Sequence, residues 1–218
     1  MTAETTTQRA RATRWITAVA SLAVVIYFVP LFHVVSLTGA QEKAEAALFN
    51  AAEYVESFWS GPLLAATSNA VDASELLDAF EQDFEATAER FGHRLGLSGH
   101  SSYLVSGEGQ IIAVEETAVT IALREGGPVE VIIEIGPVFG NAIRDGSGLL
   151  NVSDFENAQD FNALSAELNI LVEEQVLPSL VAGATVGDKL RFVGGVEVGD
   201  SGGAPAALTL VPVVVEFP

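Results

Sequence analysis

The chain has 218 residues, of which 49% are hydrophobic and 18% are charged, so it contains enough apolar side chains for a folded core. It has 29 acidic and 10 basic residues, and its formal charge of −19 argues against nucleic-acid binding. It has no cysteine, which excludes disulfides, thiol nucleophiles, cysteine-ligated metals and cysteine-linked lipid anchors. We predict neither a metal site nor a cofactor.

The N-terminal region has the pattern of a membrane span. Arg9, Arg11 and Arg14 precede an apolar stretch at 15–37 that contains no Asp, Glu, Lys or Arg. As a helix rising about 1.5 Å per residue, this stretch is long enough for a hydrocarbon core of about 30 Å. The positive-inside rule then predicts a cytoplasmic tail at 1–14, a single helix at 15–37 in the plasma membrane, and an extracytoplasmic remainder.

A cleaved signal peptide is the alternative interpretation of the same segment. Residues 38–40, Thr-Gly-Ala, resemble a signal-peptidase site. The apolar stretch is longer than the roughly 7–15 residues typical of a signal peptide, which favours an uncleaved anchor. Both interpretations export the rest of the chain.

Two amphipathic helices are predicted at the start of the exported part. Apolar residues recur at helical spacing over 41–60 and again over 73–91. Gly61 and Pro62 should end the first helix, and Asp72 is a suitable N-cap for the second.

Short β-branched runs separated by turn residues dominate the remainder and predict a sheet. The predicted strands are 102–106, 110–115, 118–124, 129–135, 189–198 and 208–217. A third helix is predicted at 157–176, with Pro178 beyond its end. The predicted fold class is α+β: a helical subdomain at 41–98, then a mostly antiparallel sheet at 99–218 that curls into a barrel and carries one inserted helix.

The sequence Gly-Asp-Ser-Gly-Gly at 199–203 resembles the nucleophile loop of chymotrypsin-like serine proteases. Only 17 residues follow Ser201, too few for the strands that build a specificity pocket in those enzymes. Asp, Ser and Gly are also the residues expected in a hairpin loop. We therefore predict a loop here and no enzymatic activity.

The segment 136–145 is the most distinctive candidate for a binding site. It leaves a strand through Gly-Pro, turns at Gly140 and Asn141, and then presents Arg144 and Asp145. An isolated arginine among many carboxylates either binds an anionic or polyhydroxylated ligand or ties a loop to a nearby acid. The residues predicted to bind a ligand or partner are Gly136, Pro137, Asn141, Arg144, Asp145, Asp154 and Asn157.

These residues resemble the family named domain of unknown function 2291, whose members are described as predicted periplasmic lipoproteins. The shared pattern is Gly-Pro-Val at 136–138, an aliphatic-Arg-Asp run at 142–145, Asp-Phe-x-Asn at 154–157 and Leu-Asn at 168–169. The resemblance implies a helical subdomain beside a barrel of the oligonucleotide/oligosaccharide-binding (OB) type. It also implies an association with sugar-importing ABC transporters and no established activity.

From this we expect a non-enzymatic, membrane-anchored extracytoplasmic accessory module. Its expected partners are the lipid bilayer through 15–37 and either sugar ABC transporter components or a small carbohydrate. Since the chain has no cysteine for a lipid anchor, the apolar helix should hold it in the membrane. The alternatives are a hydrolase that uses Ser201 or scattered carboxylates, and a purely structural envelope protein.

Overall fold

A computed structural model describes residues 49–95, 99–200 and 203–218. The predicted tail (1–14), the predicted membrane helix (15–37), the start of the predicted 41–60 helix and Ser201 lie outside these ranges. No helix within the described ranges is long and apolar enough to cross a membrane. The single-pass anchor and its orientation therefore remain predictions.

The first described helix, α1 (Ala51–Phe58), begins at Asn50, whose side chain accepts a hydrogen bond from the backbone N–H of Glu53. It continues through a π-helical turn (Trp59–Leu63) and α2 (Leu64–Ala66) into a 3₁₀ turn (Thr67–Asn69). The predicted end at Gly61 and Pro62 is wrong. The wider π turn contains Pro62, which lacks an N–H and would disrupt a regular α-turn.

The predicted helix at 73–91 is two helices, α3 (Ala73–Gln82) and α4 (Phe84–Phe91). Asp72 caps α3 as predicted, accepting hydrogen bonds from the backbone N–H groups of Ser74 and Glu75. Asp83 has an extended backbone that interrupts the run, and its side chain caps α4 by accepting from the N–H of Ala86.

Five strands close into a barrel. They are β2 (His100–Val114), β3 (Ala118–Ala122), β4 (Val131–Glu134), β5 (Lys189–Gly199) and β6 (Leu208–Glu216). Their order is β2-β3-β4-β6-β5, and β5 pairs back to β2. Only β4 and β6 are parallel within the barrel, and a short β1 (Val71–Asp72) pairs in parallel with β2. The α+β class and the mostly antiparallel sheet are confirmed, and the strand order is that of a Greek-key OB barrel.

The predicted break between the strands 102–106 and 110–115, at the turn residues 107–109, is wrong, because β2 is one continuous strand. A Cβ atom on Gly107 would lie 2.6 Å from the Phe192 ring, and one on Gly109 would lie 2.5 Å from the carbonyl oxygen of Ala122. These two glycines therefore permit close packing inside a small barrel and do not form a turn.

Several helices, not the single one predicted, lie between β4 and β5. They are α5 (Ala142–Gly146), a 3₁₀ turn (Val152–Asp154), α6 (Ala158–Leu171), a π-helical turn (Val172–Val176) and α7 (Leu177–Gly183). Pro178 does not lie beyond the helical segment. It occupies the first turn of α7, where a backbone N–H has no helical partner to bond.

One hydrophobic cluster joins the barrel interior to the helices. Phe80 of α3, Tyr103 of β2, Leu164 of α6 and Phe192 of β5 all belong to it. The predicted division into a helical part (41–98) and a barrel part (99–218) remains a prediction.

Candidate functional site

The loop from β4 to α5 is tied to the helices that follow it. The backbone N–H of Val138 donates a hydrogen bond of 2.7 Å to the Glu173 carboxylate, and the Asn169 side chain donates one of 3.1 Å to the carbonyl of Gly140. Gly140 has φ +87°, a left-handed conformation that favours glycine. The predicted turn at 140–141 is therefore present, and its backbone is fixed from one side.

Phe139 lies between these two tied residues and points into solvent. Its side chain is 78% exposed, the largest value among the large hydrophobic residues that the structure describes. Exposed aromatic side chains are enriched where proteins contact one another. Gly136, Pro137 and Asn141, which were predicted as site residues, flank this tip at the two ends of the loop.

Arg144 and Asp145 lie inside the protein, 5% and 7% exposed. The Arg144 Nε donates a 2.6 Å bond to Asp145 Oδ1, and its Nη1 donates to the Phe161 carbonyl and the Asn162 side chain at 3.3 and 3.2 Å. The guanidinium also lies 4.0 Å from the centre of the Phe161 ring. These contacts match the loop-tying role that the sequence left open; ligand binding by this pair remains a prediction.

Asp154 and Asn157 do not join that pair within the described contacts. Asp154 ends an exposed 3₁₀ turn, and Asn157 caps α6 by accepting from the backbone N–H of Asp160. The structure thus brings together Arg144 and Asp145 and places Asp154 and Asn157 apart from that pair.

Helix α5 is buried because it packs directly on strand backbones. A Cβ on Gly146 would lie 2.6 Å from the carbonyl oxygen of Tyr103 in β2. A Cβ on Gly195 of β5 would lie 2.5 Å from the carbonyl carbon of Ala142. Two glycines therefore allow the helix to carry its ion pair into the interior.

A second candidate site is a cavity of about 530 Å³ between α4 and the adjoining ends of β2 and β5. Its polar and aromatic lining includes Phe84, Glu85, Glu89, Arg94, Ser101 and Asp200. The pairing of His100 with Gly199 brings Ser101 and Asp200 to the same wall. The volume lies in the range of about 300–1,000 Å³ typical of small-molecule pockets.

The polar groups of this cavity are incompletely paired. Arg94 Nη2 lies 3.0 Å from Asp200 Oδ1, and the two side chains are 50% and 30% exposed. This contact is an ion pair without hydrogen-bond geometry, so the shielded Asp200 Oδ1 has no hydrogen-bond partner among the described residues. Arg94 also donates a long bond of 3.5 Å to Ser101.

Tyr103 lies behind the same wall, fully buried, and its hydroxyl has no hydrogen-bond partner within the described part of the chain. A Cβ on Gly92, which lines the cavity, would lie 3.1 Å from Tyr103 Cζ and 3.0 Å from Ser101 Cβ. Burial is the main cause that raises the pKa of Tyr103. A loose side-chain contact with the Ser101 hydroxyl, which does not meet hydrogen-bond geometry, lowers this pKa, the Asp200 charge raises it and the Arg94 charge lowers it. The hydroxyl is therefore held neutral beside the cavity.

Sequence reasoning missed this cavity because its residues come from three separate segments. In the sequence, Glu85 and Glu89 have the spacing of a solvent-exposed helix face, and Gly92 is typical of a residue that ends a helix. The backbone of Gly92 has φ −86°, which any residue adopts, so close packing against the Ala88 carbonyl, Ser101 and Tyr103 is what favours glycine there. Across the described ranges, no group of three or more His, Asp or Glu residues is placed to hold a metal ion.

Comparison with known proteins supports the family and the fold. The family model described as "Predicted periplasmic lipoprotein (DUF2291)" matches residues 22–216 and confirms the resemblance. The crystal structure of an OB-fold protein from Thermotoga maritima is 25% identical, with a TM-score of 0.69, and the match covers 78% of this chain and 99% of that one. No match was found among curated proteins.

Proposed function

The chain belongs to the predicted periplasmic lipoprotein family (DUF2291), and from this premise we propose a membrane-anchored extracytoplasmic accessory module without catalytic activity. The family description supports the compartment. In the absence of any cysteine, the apolar segment at 15–37 takes the place of a lipid anchor. The module acts by binding a protein partner near the membrane.

The observation that carries this proposal is Phe139 on its tied loop. An exposed phenylalanine in a flexible loop gains little on binding, because ordering the loop costs entropy. Here the hydrogen bonds from Val138 and Asn169 already hold the backbone on both sides of Phe139. Burying this ring in a partner pocket stabilises a complex by about 2 kcal/mol, the size expected of an interface anchor.

The partner in this proposal is an extracytoplasmic part of a sugar-importing ABC transporter. The association that the family resemblance implies is what supports this choice. The loop 136–141 is the proposed contact surface, and the buried Arg144–Asp145 pair supports it from below.

Site-specific photo-crosslinking in native membranes tests the proposal. A photoreactive phenylalanine analogue replaces Phe139 in the full-length chain, and Val186, which is 60% exposed outside the loop, carries the same analogue as a control. We expect a covalent product with an importer subunit from position 139 and none from position 186. Equal products from both positions, or no product from position 139, would refute the assignment of this surface.

A matched pair of substitutions tests whether Phe139 contributes to the affinity for the partner. Phe139→Ser should reduce recovery of the importer subunit about tenfold or more, since it removes the apolar anchor. Val186→Ser removes a comparably exposed apolar side chain and should leave recovery unchanged.

A further inference from the structure

The cavity beside α4 has more hydrogen-bond acceptors than donors. Glu85, Glu89 and Asp200 each present carboxylate oxygens, whereas Arg94 is the one cationic side chain among its described lining residues. Neither Glu85 nor Glu89 forms an ion pair with another described residue. Asp200 Oδ1 forms an ion pair with Arg94 but accepts no hydrogen bond of good geometry, and as an acceptor-only atom it can gain one only from a group that donates.

The buried Tyr103 hydroxyl is an independent sign of an incomplete site. A hydroxyl that is removed from water and left without a hydrogen-bond partner destabilises the fold, so such groups are rare in folded proteins. It lies behind Gly92 and Ser101, which both face the cavity, and phenolic oxygen both donates and accepts. A bound molecule at this wall would supply the missing partner.

An aromatic ring completes the lining. Phe84 stacks on Phe80 with the ring centres 5.1 Å apart, so its position is fixed from the core side. The face of a phenylalanine ring attracts a cation within about 6 Å, and carboxylates nearby add to that attraction. Together, the aromatic wall and the surplus of carboxylates select for positive charge.

We infer that this cavity binds a small organic cation, an aliphatic amine whose ammonium group donates hydrogen bonds to Asp200 and the α4 carboxylates. Its carbon chain lies against Phe84 and Ala88. An anionic ligand would face three carboxylates with a single arginine that is already paired. This site is separate from the partner surface at Phe139, and neither proposal depends on the other.

Calorimetric titration of the full-length protein in lipid nanodiscs tests the inference. The probes are the amines putrescine (1,4-diaminobutane), spermidine and ethanolamine. Choline, whose quaternary ammonium group has no N–H to donate, and 1,4-butanediol, the uncharged analogue of putrescine, are the controls. We expect saturable binding of at least one amine, weakened by salt because Glu85 and Glu89 are exposed, and no binding of the diol. The absence of binding by all three amines up to millimolar concentration would overturn the inference, as would equal binding of the diol.

A matched pair of double charge variants locates the site. The double variant Glu85→Gln, Glu89→Gln should weaken amine binding about tenfold, as expected when hydrogen bonds to charged groups are lost. The control Glu115→Gln, Glu116→Gln removes the same charge from the exposed turn between β2 and β3 and should not change the affinity. Equal weakening by both double variants would show only a general effect of protein charge and would refute the site.

Tyr103→Phe isolates the buried hydroxyl, since the ring remains. We expect about fivefold weaker amine binding with no loss of folded protein, because the hydroxyl has no protein partner to lose. Unchanged affinity in this variant would contradict the part of the inference that places the ammonium group at this wall. Binding of glucose in preference to every amine would identify a sugar site and overturn the assignment to cations.

Discussion

The two candidate regions of this molecule each contain an arginine–aspartate pair, and the two pairs differ in burial and in hydrogen bonding. Arg144 and Asp145 are buried 2.6 Å apart, and the arginine also bonds Phe161 and Asn162. Arg94 and Asp200 lie 3.0 Å apart beside an open cavity, and the inner aspartate oxygen has no hydrogen bond.

This difference in hydrogen bonding helps to distinguish polar groups that hold the fold together from polar groups that can bind a ligand. A buried charge that already bonds several protein groups has less capacity left for a ligand, and removing it leaves those groups buried without a partner. A shielded acceptor without a hydrogen-bond donor can still gain a hydrogen bond from a ligand that supplies a donor, and this gain favours binding. Arg144, the more distinctive of the two arginines in the sequence, is therefore less suitable for ligand contact than the pair of Arg94 and Asp200.

The largest expected effect is from Arg144→Met. It leaves Asp145 buried without its cation and removes the bonds to Phe161 and Asn162, so the free energy of unfolding should fall by about 3–5 kcal/mol. Chemical denaturation of the full-length protein in detergent, followed by tryptophan fluorescence, measures this. A variant with unchanged stability that loses its partner would instead favour a ligand role for Arg144.

Arg94→Met should have a much smaller effect. Its pair with Asp200 is half exposed, and exposed ion pairs contribute about 0–1 kcal/mol to stability. The substitution also frees the Asp200 carboxylate, so amine affinity should rise although a cavity-lining residue is lost. The same denaturation experiment and titration check both statements, and a loss of stability as large as that of Arg144→Met would remove the distinction between the two pairs.

The smallest expected effect on stability is from a substitution of Glu134 on β4. Unlike the two aspartates above, its carboxyl group is half-buried and has no partner in the described chain. Burial raises the pKa of Glu134 above its ordinary value of 4.5. A carboxyl group whose pKa is higher in the folded than in the unfolded state destabilises the folded protein at a pH above the folded-state pKa. This destabilisation disappears as the pH falls below the pKa of the unfolded state. Glu134→Gln should therefore raise the melting temperature at neutral pH, with a gain that shrinks on acidification; a gain that is independent of pH would contradict this cause.

Much of the fold could be predicted from the sequence because it depends on local patterns. The cap at Asp72 and the positions of β5 and β6 followed from side-chain chemistry and periodicity. Errors arose where tertiary packing overrides local preference. Gly107 resembles a turn residue in the sequence, but it lies inside β2 because the Phe192 ring leaves no room for a side chain.

Of the two candidate sites, the loop was predicted from the sequence and the cavity was not. The loop at 136–145 was identifiable because its Gly-Pro turn and Arg144–Asp145 pair are contiguous in sequence. Burial of that pair depends on Gly146 and Gly195, whose close contacts with other strands and helices no local pattern shows. The cavity was not predicted, since Glu89, Ser101 and Asp200 are far apart in sequence and come together only where α4 meets the paired ends of β2 and β5.

Fluorine NMR of the full-length protein labelled with 3-fluorotyrosine tests the central claim most directly. The chain has three tyrosines, Tyr27, Tyr54 and Tyr103, and the Tyr103→Phe variant assigns the third signal. On titration with the amine that binds most tightly, the account predicts a saturable shift of the Tyr103 signal while that of the exposed Tyr54 stays in place. A Tyr103 signal that does not move while the amine binds would show that the unpartnered hydroxyl does not mark the ligand site.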